Sequence, residues 1–152
     1  MDPLVRRYLK TAIGFLAAGL LLGAVMLVRR ELYGGYASRW WISAHTHALL
    51  VGFVMMMIQG VALWMFPRPE RGDARYRAEL AEAAYWLMAV STLARLAGEL
   101  LRPAVAAPPL RWLVVAAGLG QVAGLLLFFA NLWPRIRSAG ARARDALAKS
   151  PP

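Results

Sequence analysis

Apolar residues run along this chain in four long blocks separated by short polar segments. The first covers Tyr8 to Val28, with Arg6 and Arg7 before it and Arg29 and Arg30 after it. The second covers Trp41 to Phe66 and meets Pro67. The third covers Leu80 to Leu101 and meets Pro103; the fourth covers Leu110 to Trp133 and meets Pro134. Each reaches the ~20 residues that a helix needs to cross a hydrocarbon layer. The pattern predicts an all-α polytopic membrane protein, a bundle of four transmembrane helices. The first block reads as a span rather than a signal peptide, because it is too long and is followed by Arg-Arg.

Polar residues between the blocks set an expected orientation. Arg6, Arg7 and Lys10 lie at the N-terminus; Arg68, Arg71, Arg75 and Arg77 lie between the second and third blocks. Arg135, Arg137, Arg142, Arg144 and Lys149 lie in the tail. With four spans these segments share one side, and the positive-inside rule makes that side the cytoplasm. Residues 1–134 then form the membrane domain, with both termini cytoplasmic, and 135–152 a basic cytoplasmic tail. The expected location is the inner membrane, multi-pass. The tail reads as a frayed end or as an amphipathic helix on anionic lipid. The segment PRPERGDARYRAE reads as a turn between spans.

Composition agrees with that class. Of the 152 residues, 60% are hydrophobic, and the mean hydropathy is +0.49. A net charge of +10 would fit a nucleic-acid partner, but the cations border apolar blocks, so the partner they imply is the lipid bilayer. The absence of cysteine excludes a disulfide framework, thiolate metal sites and iron–sulfur clusters.

Both histidines of the chain, His45 and His47, stand at the start of the second block. By the charge argument they lie about one turn inside the outer, periplasmic face. An imidazole there serves as a metal or haem ligand, as a proton relay, or as an interfacial residue beside Trp40 and Trp41. On a helix, positions i and i+2 point about 200° apart, so the pair does not readily clamp one ion. His45 shares a stripe with Gly52, Met56, Gln59 and Leu63, whose small and polar members suit a protein-facing surface. His47 shares one with Val51, Val54, Ile58 and Met65, suited to lipid or to a porphyrin face.

The stretch AHTHALLVGFVMMMIQGVALWMFPRP resembles the second helix of the haem–copper oxidase catalytic subunits. It is most similar to small stand-alone relatives of the cbb-type oxidase and nitric oxide reductase branch. The matching features are His45-x-His47, Gly52-Phe53, Gly60 and Pro67. The preceding TAIGFLAAGLLLGAVML is similar to that family's Gly-rich first helix, so the resemblance covers roughly residues 10–70. It implies a b-type haem whose iron is held by a histidine of this helix. Family spacing favours His47 and the stripe argument favours His45, so both are candidate ligands. Gly52 joins them as a candidate cofactor-binding residue, and Arg95 and Arg39 are candidate partners for the haem propionates. For Arg95 the competing expectation is an ion pair with Glu99 at i+4.

The family's later histidines have no counterpart here, so a complete oxidase or reductase is not expected. A single haem would be five-coordinate, six-coordinate through Met26, Met56 or Met88, or bis-His across a homo-oligomer. The expected role is electron transfer, with a redox partner at the outer face, or binding of O2 or NO. Two alternatives remain. One is a copper-binding or oxidase-assembly protein using histidine and methionine. The other is a non-catalytic subunit of a larger membrane complex. The run Met55, Met56 and Met57 is expected to pack the core, since three consecutive side chains diverge on a helix. Gly19-x3-Gly23 and Gly120-x3-Gly124 permit close helix contact within or between chains.

Overall fold

A computed structural model describes residues 2–66 and 77–136. The expected turn at 67–76 and all but the first two residues of the expected tail lie outside them. Among the described residues the chain forms four long helices and no strand. Helix α1 is Pro3–Tyr33. Helix α2 is continuous over Arg39–Met65. Helix α3 is Ala78–Leu101 and helix α4 is Pro108–Leu132, followed by a 3-10 turn at Trp133–Arg135.

Local chemistry sets the helix ends, and it moves every N-terminal end, and the C-terminal end of α1, outward from the apolar blocks. At the start of α1, the Asp2 carboxylate accepts from Leu4 N–H at 2.8 Å and Pro3 opens the first turn, a favourable start because proline lacks the N–H that would be unpaired there. Gly34 ends the helix at φ 61°, a left-handed conformation that costs glycine little. Ser38 caps α2 by accepting from Trp41 N–H at 3.3 Å. Pro108 occupies the first turn of α4. At the far end of α2 the Arg135 guanidinium donates to the carbonyls of Leu63 and Phe66, at 3.0 and 2.7 Å, which satisfies acceptors that the helix leaves open.

The bundle is apolar outside and small, aromatic or polar inside. Leu20, Leu21, Trp64, Trp86, Val90, Trp112, Leu119, Leu126 and Trp133 are all exposed on its flanks. A water-soluble monomer does not carry an apolar surface of that extent. Three helices are long and apolar enough to cross a membrane: Pro3–Tyr33, Arg39–Met65 and Pro108–Arg135. Helix α3, at 24 residues, has the length but carries Glu79, Glu82, Arg95 and Glu99. It is also where the buried polar side chains concentrate: Ser91, Thr92 and Glu99.

Two layers fill the interior. Toward the end that holds the N-terminus, Tyr8, Tyr85 and Phe128 pack edge to face, with ring centroids 5.0 and 5.9 Å from Tyr8. Met56, Met88 and Leu132 complete this core. Toward the opposite end, near the α1–α2 and α3–α4 connections, the interior turns polar. Both GxxxG motifs act within the chain. A methyl group at Gly19 or Gly23 would meet Leu49 or His45 of α2, and one at Gly120 or Gly124 would meet Ser91 or Met88 of α3.

Helix α2 departs from the α form in its middle. Ala48–Met55 is π-helical. Its buried positions Ala44, Ala48, Gly52 and Met56 recur every four residues. In a 3.6-residue helix that spacing drifts around the axis. The wider π turn cancels the drift and keeps the small residues against α1, where a Cβ on Gly52 would lie 2.5 Å from the Phe15 ring. The apolar block showed where the helix runs but not this change of pitch.

Candidate functional site

The two histidines face different neighbours, as their i, i+2 spacing requires. His45 turns to α1. Its Nδ1 lies 2.9 Å from the Gly19 carbonyl oxygen, and its ring edge lies over Gly23, where a Cβ would be 2.7 Å from Cε1. Only a glycine at 23 lets the imidazole lie this close to the α1 backbone. His47 keeps to its own helix: Nδ1 is 2.8 Å from the Ser43 carbonyl oxygen and 3.3 Å from Ser43 Oγ.

These contacts settle the tautomer of the neutral rings. A carbonyl oxygen only accepts, so Nδ1 carries the proton in both and Nε2 presents its lone pair. An imidazole held by Nδ1–H to a backbone carbonyl is oriented for coordination through Nε2. His45 and His47 therefore both have the donor chemistry that an iron or copper ligand needs.

Their surroundings separate them. His45 forms part of the wall of a cleft of about 340 Å³, together with Gly23, Met26, Leu27, Arg30, Tyr36 and Ile42. That size is at the lower end of ordinary ligand pockets. The cleft joins an imidazole, a thioether and a guanidinium, with aliphatic side chains between. Imidazole and thioether are both groups that can ligate a haem iron, and apolar walls suit its macrocycle; the Arg30 guanidinium is ion-paired with Glu31 at 2.7 Å. Of the three methionines considered as second ligand, Met56 and Met88 are fully buried in the core, and Met26 lines the cleft.

His47 instead begins a chain of polar side chains running between helices. Ser43 Oγ donates to Glu99 Oε1 of α3 at 2.9 Å. Arg95 Nε donates to the same oxygen at 3.1 Å, which forms the i, i+4 ion pair. Arg95 Nη1 donates to Gln121 Oε1 of α4 at 3.1 Å, and Gln121 Nε2 donates to Thr92 Oγ1 at 3.1 Å. Glu99 is 1% exposed, and its second oxygen, Oε2, has no hydrogen-bond partner among the described residues.

The remaining expected residues fall as follows. Arg39 is exposed and stacks over Trp40, its guanidinium carbon 5.3 Å from the ring centroid; Arg102 lies on the same ring at 4.7 Å. Gly52 lies against Phe15. Arg95 is bound on two of its nitrogens by Glu99 and Gln121. Met56 is buried, and Met55 and Met57 pack partly buried against the core, as diverging side chains should. Among the described residues no three His, Cys, Asp or Glu side chains converge as a metal site. Sequence reasoning used Glu99 only as a partner for Arg95 and passed over Ser43. The available signal was a carboxylate inside an apolar block, which is costly enough to mark a site by itself.

Comparison with protein families, with curated proteins and with solved structures finds no match to this chain.

Proposed function

We propose that this protein spans the membrane four times, with both termini cytoplasmic, and holds one b-type haem near the outer face through His45. The observation that carries the reading is the His45 imidazole. Its Nδ1 is anchored to Gly19 O, which leaves Nε2 for a metal, on the wall of a cleft that Met26 and Arg30 also line. The likeness of the first two helices to haem–copper oxidase subunits supports a histidine-held haem on this helix, but by spacing it favours His47, so the choice of His45 rests on the cleft. The charge bias, by which that end of the bundle is expected outside, agrees with a site near the outer face.

In this reading His45 would hold the iron, Met26 would be a further ligand or leave room for a gas, and Arg30 would exchange its ion pair with Glu31, at 2.7 Å, for a propionate. The bound haem supplies one-electron chemistry or diatomic binding. The chain contributes ligand orientation, an apolar wall and a cationic rim of Arg29, Arg30, Arg39 and Arg102 for a redox partner. A second copy across the open side of the cleft would complete it, so the protein is expected to be a homo-oligomer when loaded. Its mass in detergent checks this.

The same imidazole–thioether pair favours a second reading, Cu(I) binding, since soft thioethers suit that ion. One experiment separates the two. The visible spectrum of detergent-purified protein is recorded oxidised and reduced, beside His45→Ala, His47→Ala and Met26→Leu. The haem reading expects a Soret band that is lost in His45→Ala, kept in His47→Ala and shifted in Met26→Leu. A colourless protein that stays so when haem is supplied, and that carries stoichiometric copper, sinks the haem reading in favour of copper. Colourless and metal-free protein leaves His45 as a helix-packing residue in a non-catalytic subunit.

A further inference from the structure

The polar chain on the α3 side is independent of the His45 cleft. Its centre is Glu99, enclosed at 1% exposure. Oε1 accepts from Ser43 and Arg95, and Oε2 accepts from none of the described residues. A fully ionised carboxylate enclosed this way leaves half its acceptor capacity unused, which is expensive in a low-dielectric interior. Arg95 does not repair this. Its fork is divided, with Nε on Glu99 and Nη1 on Gln121, where a bidentate pair would cover both carboxylate oxygens.

That division makes two states tolerable. With Glu99 ionised, Arg95 is its counter-charge. With Glu99 neutral, Arg95 keeps Gln121, and an unpaired carbonyl oxygen costs less than an unpaired share of a charge. Oε2 has no accessible surface, and among the described residues no group of metal ligands converges there. The ligand that Glu99 can take without rearrangement is a proton, on Oε1 where Ser43 already lies, with Oε2 left as the carbonyl oxygen.

We propose that Glu99 is a proton-binding site loaded from the α1–α2 end of the bundle through the Ser43 hydroxyl. Ser43 Oγ already donates to Glu99 Oε1 at 2.9 Å. In loading, that hydroxyl proton moves to the carboxylate as Oγ takes one from water at the bundle end. One solvent proton and one carboxylate become one carboxylic acid, and the hydroxyl is restored. The charged and titratable groups facing Glu99 are Arg95 on its own helix and His47 of α2 behind Ser43. From α4 the facing group is the neutral Gln121, through Arg95. Beyond Glu99 the chain continues to Thr92, seven residues and about 10 Å deeper along α3.

Time-resolved infrared spectroscopy after a drop in pH tests this on the purified full-length protein. It reads the carboxyl group whether or not haem is bound, so its outcome and that of the haem reading are separate. A carboxylic C=O band should appear on acidification and shift in D2O. It should be lost in Glu99→Gln, be displaced but present in Glu99→Asp, and form more slowly in Ser43→Ala. Should Glu99→Gln fail to fold, the displacement in Glu99→Asp carries the assignment. Absence of the band from the native protein, its survival in Glu99→Gln, its failure to move in Glu99→Asp, or unchanged loading in Ser43→Ala overturns the proposal.

Discussion

Three glycines along α1 and α2 face three different surroundings, and replacing each by alanine should give three different results. At Gly14 an added methyl group would meet nothing within 4 Å. Alanine there gains the helix preference that glycine lacks, about 0.5–1 kcal/mol. At Gly23 the new Cβ would lie 2.7 Å from His45 Cε1. That atom ends a side chain, so the ring turns away and the bond to Gly19 is lost, at about 0.5–1.5 kcal/mol. Gain and loss nearly cancel, and stability stays close to native. At Gly52 the Cβ would lie 2.7 Å from Phe15 Cβ and 2.5 Å from Cγ. Those atoms are tied to the α1 backbone and cannot swing aside, so the helices must part. Overpacking of this kind costs about 1–3 kcal/mol, more than alanine returns. Reversible denaturant unfolding in detergent should therefore order the variants Gly14→Ala, Gly23→Ala, Gly52→Ala from most to least stable. Haem or copper loading should fall in Gly23→Ala despite its near-native stability. If Gly52→Ala were as stable as Gly14→Ala, the close α1–α2 contact at Phe15 would be wrong.

Two further substitutions probe the polar interior. Glu99→Leu alone leaves the Arg95 guanidinium with Gln121 but without its carboxylate and should cost about 1.5–3 kcal/mol, whereas adding Arg95→Met should recover most of that loss; a double-mutant cycle that finds simple additivity contradicts the pairing. Asn131 clasps Arg77 at both its N–H and its carbonyl, each at 3.0 Å. Asn131→Ala should lower stability by about 1–3 kcal/mol, read as a fall in thermal midpoint, and an unchanged midpoint would make that clasp incidental.

The helices were readable because a membrane imposes a simple length rule. Blocks at 8–28, 41–66, 80–101 and 110–133 anticipated every long helix among the described residues, and the structure lengthened them at Asp2-Pro3, Gly34, Ser38 and Pro108 through capping. The third block holds Glu82, Arg95 and Glu99, and α3 is the helix that falls short of a plainly apolar span. Arg95 and Glu99 are tolerated there because they bind each other inside the bundle. The π segment was not readable, since hydropathy is blind to pitch. Its trace was the four-residue recurrence of Ala44, Ala48, Gly52 and Met56.

By itself the sequence determined the class, the all-helical architecture and the placing of both imidazoles near one end of a long apolar helix. These follow from local quantities: run length, charge at the borders and residue type at fixed spacing. Only the tertiary structure decided what each imidazole touches. Periodicity says that His45 and His47 diverge, but not that one meets the Gly19 carbonyl across Gly23 while the other stays with Ser43. It likewise could not show Met26 on the His45 cleft, or Ser43 reaching Glu99 across 56 positions of chain. Such contacts depend on which helix faces lie together and how closely glycine lets them approach, and neither is encoded within any one span.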